Sequence, residues 1–134
     1  MTVVYVIDLA KQRIHTRCVG AVTLSDVRQH FADLGSDPTC PAWLDVLLDL
    51  TETTSLPSSS QLSAVTTEIA RIRSQVGFRY CAIVTSDEAW FGMARMFEVF
   101  AEKYFAAIKV FRTLDDGMRW LDAQGQSNPV PASE

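Results

Sequence analysis

The fold is decided by the stretch from Trp43 to Leu62, WLDVLLDLTETTSLPSSSQL. Its first eight residues, Trp43 to Leu50, are mostly apolar and do not alternate, which is typical of a strand buried on both faces in a parallel sheet. We expect this strand to end at Thr51, where a polar loop containing Pro57 begins. Three serines, Ser58 to Ser60, then supply N-caps for an amphipathic helix. The stretch therefore places hydroxyls at the carboxyl edge of a sheet, where open α/β folds usually bind ligands.

The composition is that of a single globular domain. The chain has 134 residues, of which 48% are hydrophobic and 21% charged, enough to bury its own core. No apolar run approaches the length of a membrane span, and the apolar start of the chain is interrupted by Asp8, so we expect no integral membrane segment and a cytoplasmic location. The formal net charge of −4 disfavours binding to nucleic acid.

The remaining elements follow from periodicity and capping residues. Further strands are predicted at residues 3–8, 13–19, 78–85 and 107–113. Helices are predicted after the caps Thr23, Asp87 and Thr113, and helix ends at Gly35, Gly77 and Gly125. The order β-β-α-β-α-β-α-β-α favours an α/β fold, with four helices and a single-layer, five-stranded mixed sheet whose initial hairpin is antiparallel. Residues 1–124 form the predicted domain, and residues 125–134 are predicted to be a disordered tail.

The second predicted strand alternates between two kinds of side chain. One face carries Ile14, Thr16 and Cys18. The other face carries Arg13, His15 and Arg17. His15 is therefore a candidate ligand for an anionic group, together with the two arginines. The alternative is an ordinary exposed polar face of an antiparallel strand.

The third helix, predicted from Glu88 to about Tyr104, carries more apolar surface than one sheet face needs. The candidate residues for an apolar ligand or interface are Trp90, Phe91, Met93, Phe97 and Phe100. Such a surface is typical of a second packing partner, of the wall of an apolar pocket or of a homodimer interface. The alternative is a helix that packs centrally on the sheet and touches helices on both flanks.

The sequence contains no recognisable catalytic motif. The patterns G-x-S-x-G, G-x-x-x-x-G-K and H-E-x-x-H are all absent, and His15 and His30 have no spacing that predicts a shared site. Cys18, Cys40 and Cys81 lie far apart without a C-x-x-C pair, which indicates reduced thiols. We therefore predict a protein that is not an enzyme and has neither a cofactor nor a metal.

The stretch before the second helix resembles the signature of the STAS family, the sulfate transporter and anti-sigma factor antagonist domains. In that signature, a hydrophobic strand ending in Asp is followed by a short loop, an apolar residue and the sequence Asp-Ser-Ser-Gly, which opens a helix. The corresponding residues here are Leu47-Leu48-Asp49-Leu50, Leu56 and Pro57-Ser58-Ser59-Ser60. Pro57 replaces the motif aspartate and Ser60 the motif glycine. With the initial hairpin and the aromatic third helix, these departures resemble the SpoIIAA-like branch.

The resemblance implies a regulatory protein-interaction domain whose partner is a kinase or an anti-sigma-like regulator. In the bacterial antagonists, the first serine of the motif is phosphorylated by a partner kinase, and Ser58 occupies that position. Ser59, Ser60, Thr53 and Thr54 are the further candidates for phosphorylation or partner binding. The alternative function is a carrier or sensor of an apolar, lipid-like small molecule that uses the aromatic third helix.

Overall fold

One mixed sheet and four helices make up the structure, a computed structural model that describes residues 2–127. The strands are β1 (Val3–Asp8), β2 (Arg13–Gly20), β3 (Trp43–Thr53), β4 (Gly77–Val84) and β5 (Ala107–Phe111). The helices are α1 (Leu24–Gly35), α2 (Ser59–Ile72), α3 (Glu88–Ala101) and α4 (Leu114–Ser127), and a 3₁₀ turn at Glu102–Tyr104 follows α3. The predicted element order, five-stranded mixed sheet and four helices are confirmed.

The strands lie in the sheet in chain order, β1-β2-β3-β4-β5. β1 and β2 are antiparallel, and the other neighbouring pairs are parallel. Crossover connections between parallel strands are right-handed. The crossovers from β2 to β3, β3 to β4 and β4 to β5 all step across the sheet in the same direction. Their helices α1, α2 and α3 therefore lie on the same face of the sheet. The helix after the last strand, α4, packs on the opposite face through Leu121.

The central strand β3 is buried on both faces, as its mostly apolar sequence predicts. Leu44 and Leu50 belong to the cores beneath α1, α2 and α3. Leu47 points the other way and packs with Ala82, Val84 and the residues of α4. Leu44 and Leu47 are 0% and 1% exposed, so neither face of this strand reaches solvent at its centre.

The strand β3 runs three residues further than predicted, to Thr53 instead of Leu50. The neighbouring strand supplies the reason, because Val19 pairs with Glu52 and Gly20 pairs with Thr53. The Arg17 guanidinium also contacts the Glu52 carboxylate at 2.7 Å. Polar residues can therefore continue the ladder here, since their partner strand continues beside them.

Two predicted helix ends are wrong. The second helix ends at Ile72, and Gly77 opens β4, where its N–H donates to the Ala42 carbonyl at 2.9 Å. The last helix continues past Gly125 to Ser127. A glycine inside a helix costs only about 1 kcal/mol relative to alanine, which is not enough to end a helix by itself. The remainder of the predicted tail, residues 128–134, lies outside the described residues.

The predicted helix N-caps are confirmed, and they fix where each strand gives way to a helix. The Thr23 hydroxyl accepts from the Asp26 N–H, and the Asp26 carboxylate accepts from the Thr23 N–H, a complete capping box. The Asp87 carboxylate accepts from the N–H groups of Ala89 and Trp90. These caps lie beyond the carboxyl ends of the strands, so the connections they begin surround one edge of the sheet.

The absence of a side chain at Gly117 allows α4 to lie close to the sheet, and a substitution at this position tests that packing. A Cβ at this position would lie 2.9 Å from Val84 Cγ2 and 3.4 Å from Leu47 Cδ1. Val84 is fully buried and β-branched, so it has little freedom to move. We expect Gly117→Ala to lower the free energy of unfolding by about 1 to 3 kcal/mol, measured by urea denaturation, despite the higher helix propensity of alanine.

The matched control is Gly92→Ala in α3, where an added Cβ meets nothing within 4 Å. This change should raise the free energy of unfolding by about 0.5 to 1 kcal/mol, because alanine is the better helix former. If Gly117→Ala proved as stable as Gly92→Ala, the close packing of α4 on the sheet would be wrong.

Candidate functional site

A cavity of about 290 Å³ lies between the sheet and the helices α1, α2 and α3. Its floor is formed by the apolar faces of β2 and β3. The residues that these two strands contribute are Ile14, Thr16, Cys18, Val46, Leu48, Leu50 and Thr53. The face of β2 that carries Ile14, Thr16 and Cys18 is therefore a cavity wall. A pocket of this kind is the default candidate for a binding site.

The aromatic helix α3 forms one side of the cavity. Trp90, Ala94 and Phe97 line it, so two of the five predicted aromatic and methionine candidates face this space. The other three candidates do not line it. Phe91 lies against the Arg112 guanidinium at 4.1 Å, Met93 packs against the core, and Phe100 is 37% exposed on the outer side of the helix.

The loop of residues 53–58, called the rim loop below, borders the cavity at the carboxyl edge of the sheet. The Thr53 hydroxyl donates to the Gly20 carbonyl at 3.0 Å. The Ser55 hydroxyl accepts from the Val22 N–H at 2.9 Å, and the Ser55 carbonyl accepts from Trp90 Nε1 at 2.6 Å. The rim loop is thus tied both to the connection before α1 and to α3.

The three predicted serines lie together on the surface at the start of α2. Ser58 is the N-cap, and its hydroxyl accepts from the Gln61 N–H at 3.2 Å. The Gln61 side chain in turn accepts from the Ser58 N–H at 2.8 Å. Ser58 Oγ and Ser60 Oγ are 3.0 Å apart, and Ser59 is exposed beside them. Pro57 and Gln61 also line the cavity, so this surface adjoins it.

The two predicted threonines have different surroundings. Thr54 is exposed, whereas Thr53 is half-buried and its hydroxyl is held by the Gly20 carbonyl. Thr53 also lines the cavity. A kinase would therefore reach Thr54 more readily than Thr53.

The cavity carries no residue that is charged at neutral pH. No Asp, Glu, Lys or Arg is found among its described lining residues, and its titratable members are His30, Cys18 and Cys81. Burial lowers the pKa of His30 to about 4, although Asp33 raises it in part. Burial raises the pKa of Cys18 to about 11 and raises that of Cys81 further. All three side chains are thus neutral at pH 7.

The basic side chains of β2 lie on the opposite face of the sheet, and each has a carboxylate partner. Arg13 contacts Asp122 at 2.7 Å, and Arg17 contacts Glu52. His15 Nε2 lies 3.3 Å from Asp49 Oδ2. The hypothesis that His15 and the two arginines bind an anion is not supported, because each of these side chains already contacts a carboxylate.

Neither a metal centre nor a membrane span is found in the part of the chain that the structure describes. Within it, no group of three or more His, Cys, Asp or Glu side chains could hold a metal ion. None of its helices is long and apolar enough to cross a bilayer.

Comparison with known proteins identifies the fold. No protein-family model and no curated protein matches the sequence. Among solved structures, the chain is similar to the crystal structure of an uncharacterized protein of the DUF3478 family, with a SpoIIAA-like fold, from Shewanella loihica PV-4. The match has a TM-score of 0.58 and 20% identity, and covers 89% of this chain and 91% of that chain. This chain has a SpoIIAA-like fold. On this fold, the cavity lies beneath α1, α2 and α3, and the serines lie at its rim.

Sequence reasoning missed most of the cavity wall. It singled out α3, but it did not connect α3 with Thr16 on β2, Val65 on α2 or His30 on α1, all of which line the same space. One signal was present in the sequence. Thr16 and Cys18 place small side chains on the buried face of a strand, where larger ones would fill a core.

His30 provides a pH-dependent test of this description. Its Nδ1 is buried without a hydrogen-bond partner, and its ring packs against Tyr5 and Phe31 at centroid distances of 5.4 and 5.3 Å. Its pKa in the folded state, about 4, is below the usual 6.5, so the unfolded chain takes up a proton first as the pH falls. The stability contributed by neutral His30 is therefore present above pH 6.5 and lost between pH 6.5 and 4.

We expect the free energy of unfolding to fall by about 1 to 3 kcal/mol between about pH 7.5 and about pH 4.5. In His30→Gln, which stays neutral throughout this range, most of that decrease should disappear. Urea denaturation of both proteins at each pH measures the difference. An equal decrease in the variant and the original protein would show that His30 is not buried in its neutral form.

Proposed function

We propose that this protein is a non-enzymatic regulatory domain that binds an apolar small molecule in the cavity between its sheet and α1, α2 and α3. The observation that carries the proposal is the cavity, whose volume of about 290 Å³ is near the lower end of the usual range of ligand pockets. An engineered cavity of about half this volume binds benzene. The expected occupant therefore has about a dozen carbon atoms.

The energetics of packing also support an occupant. Protein interiors are close-packed, and an empty apolar cavity costs about 24 cal/mol per Å³. An unfilled apolar cavity of this size leaves its lining residues without the contacts of a close-packed interior. An apolar molecule that fills the space restores the lost contacts and removes its own surface from water.

The position of the rim loop favours a sensor over a simple carrier. This loop borders the cavity, and it leads directly into the exposed serines at the start of α2. The Trp90 indole N–H, on the cavity wall, holds the loop through the Ser55 carbonyl. A ligand that displaces Trp90 would change the position of the rim loop and of the serine surface at the start of α2, to which a partner protein could bind. This is consistent with the regulatory role expected of a SpoIIAA-like fold.

Filling the cavity tests the proposal. Ala94 is 1% exposed and lies in the cavity wall, so Ala94→Leu should place extra carbon atoms in the space without disturbing a packed core. We expect this variant to bind the neutral fluorescent probe N-phenyl-1-naphthylamine at least about tenfold more weakly than the original protein, with equal or higher stability.

The matched control is Ala89→Leu, the same substitution at an exposed position of α3 outside the cavity. It should leave probe affinity unchanged. Native mass spectrometry of protein purified from its own cells should also show a bound mass that Ala94→Leu lacks. Equal probe binding by the two variants would mean that the probe does not enter the cavity.

A second candidate function is partner binding at the start of α2, controlled by phosphorylation of Ser58. The observation that favours it is the exposed group of serine hydroxyls at a helix N-terminus. The free N–H groups and the dipole of α2 would stabilise a phosphate there, and the phosphate would present new charge to a partner. The first turn of α2 contains no acidic side chain that would repel a phosphate.

Ser58→Asp and Ser58→Ala separate this function from simple capping. Aspartate retains a capping oxygen and adds charge, whereas alanine removes the cap at a cost of about 1 kcal/mol. Each variant is used to capture partner proteins from host extract, and the amount of captured partner is measured. If phosphorylation controls partner binding, Ser58→Asp should capture at least about fivefold less of the partner than Ser58→Ala captures. Ser74→Asp, at an exposed position in the turn after α2, is the charge control. Equal recovery with both Ser58 variants would count against the regulatory role.

Homodimerisation through the aromatic helix stays a prediction. The outer side of α3 presents Met96, Val99 and Phe100, which are 37%, 66% and 37% exposed. These residues are distinct from Trp90 and Phe97 in the cavity wall, so a dimer contact and an occupied cavity are compatible.

A further inference from the structure

Two polar groups in the cavity wall have no hydrogen-bond partner among the residues that the structure describes. Thr16 is 4% exposed and lines the cavity, and none of the side-chain hydrogen bonds found within residues 2–127 uses its hydroxyl. His30 Nδ1 is buried and likewise has no hydrogen-bond partner. A buried polar group left unpaired costs about 1 to 3 kcal/mol, so His30 Nδ1 needs a partner, and the Thr16 hydroxyl is free to bond a ligand.

These two groups lie on the same side of the cavity, beneath α1. Tyr5 of β1 is the cross-strand partner of Thr16, so the two side chains share one face of the sheet. The Tyr5 ring is also the edge-on neighbour of the His30 ring, at 5.4 Å between centroids. The Tyr5 hydroxyl donates to Asp37 at 2.6 Å, and no hydrogen bond joins it to Thr16 or His30 among the described residues.

The polar groups at the rim are satisfied within the protein. The Thr53 hydroxyl is bonded to the Gly20 carbonyl, and the Ser55 hydroxyl is bonded to both backbone groups of Val22. The Gln61 amide oxygen is bonded to the Ser58 N–H. A ligand therefore gains less from hydrogen bonds at the rim than from hydrogen bonds at Thr16 and His30.

We propose that the occupant is an uncharged apolar molecule that carries a hydroxyl, and that Thr16 and His30 bind this hydroxyl. This inference rests on the proposed function, since it names the chemical class that the cavity takes. A hydroxyl both donates and accepts, so it suits the Thr16 hydroxyl and either tautomer of a neutral His30. A carboxylate or an ammonium group would enter a wall without any opposite charge and would lose its hydration.

Binding of four ten-carbon probes to the full chain, freed of bound lipid, tests this inference. The probes are 1-decanol, 1-chlorodecane, decanoate and decylammonium, compared by titration calorimetry at neutral pH. We expect 1-decanol to bind at least about tenfold more tightly than either charged probe. Thr16→Val, which removes the hydroxyl at nearly constant volume, should weaken binding of 1-decanol about fivefold and leave binding of 1-chlorodecane unchanged.

Thr67→Val is the control, because it makes the same change at an exposed position of α2 outside the cavity. It should alter none of the four affinities. If decanoate or decylammonium bound as tightly as 1-decanol, or if Thr16→Val left the affinity for 1-decanol unchanged, this inference would be overturned while the proposed cavity function stood. If none of the probes bound the original protein, the proposed function would fail together with the inference.

Discussion

The handedness of the crossovers between parallel strands is the constraint on which the structure depends. Because β2 to β5 follow one another in chain order, successive right-handed crossovers place α1, α2 and α3 on one face of the sheet. Only α4 remains for the other face, where Gly117 allows it to approach Leu47 and Val84 closely. One face is thus closely packed by a single helix, whereas the face beneath three helices contains the cavity.

The two faces of the sheet also differ in their chemistry. On the α4 face, the cations of β2 are each matched by a carboxylate, as in the contact between Arg13 and Asp122. On the face beneath α1, α2 and α3, the cavity is apolar and its titratable groups are neutral at pH 7. The buried Nδ1 of His30 has no hydrogen-bond partner among the described residues, and it belongs to a residue of this wall. This contrast explains why an apolar, uncharged occupant fits better than an anion.

Much of the fold could be predicted from the sequence, because strand periodicity and helix caps are local signals. The mostly apolar run of β3 and the serine N-cap of α2 are predicted in this way. The errors arose where a distant partner decides the outcome: Gly77 opens β4 because the Ala42 carbonyl accepts its N–H. The cavity is likewise a tertiary property. The alternation of β2 places Thr16 on the apolar face, but only the packing of α1 brings His30 to the same wall.

The most direct test of the central claim is methyl NMR of the full chain titrated with 1-decanol. Methyl groups on the two faces of the sheet can be compared within one protein. Val46, Leu48 and Val65 line the cavity, whereas Leu47 and Leu121 pack in the core between the sheet and α4. We predict ligand contacts and large shift changes for the first three residues, with little change for the other two. Uniform small changes, or changes confined to the exposed side of α3, would contradict binding in the cavity.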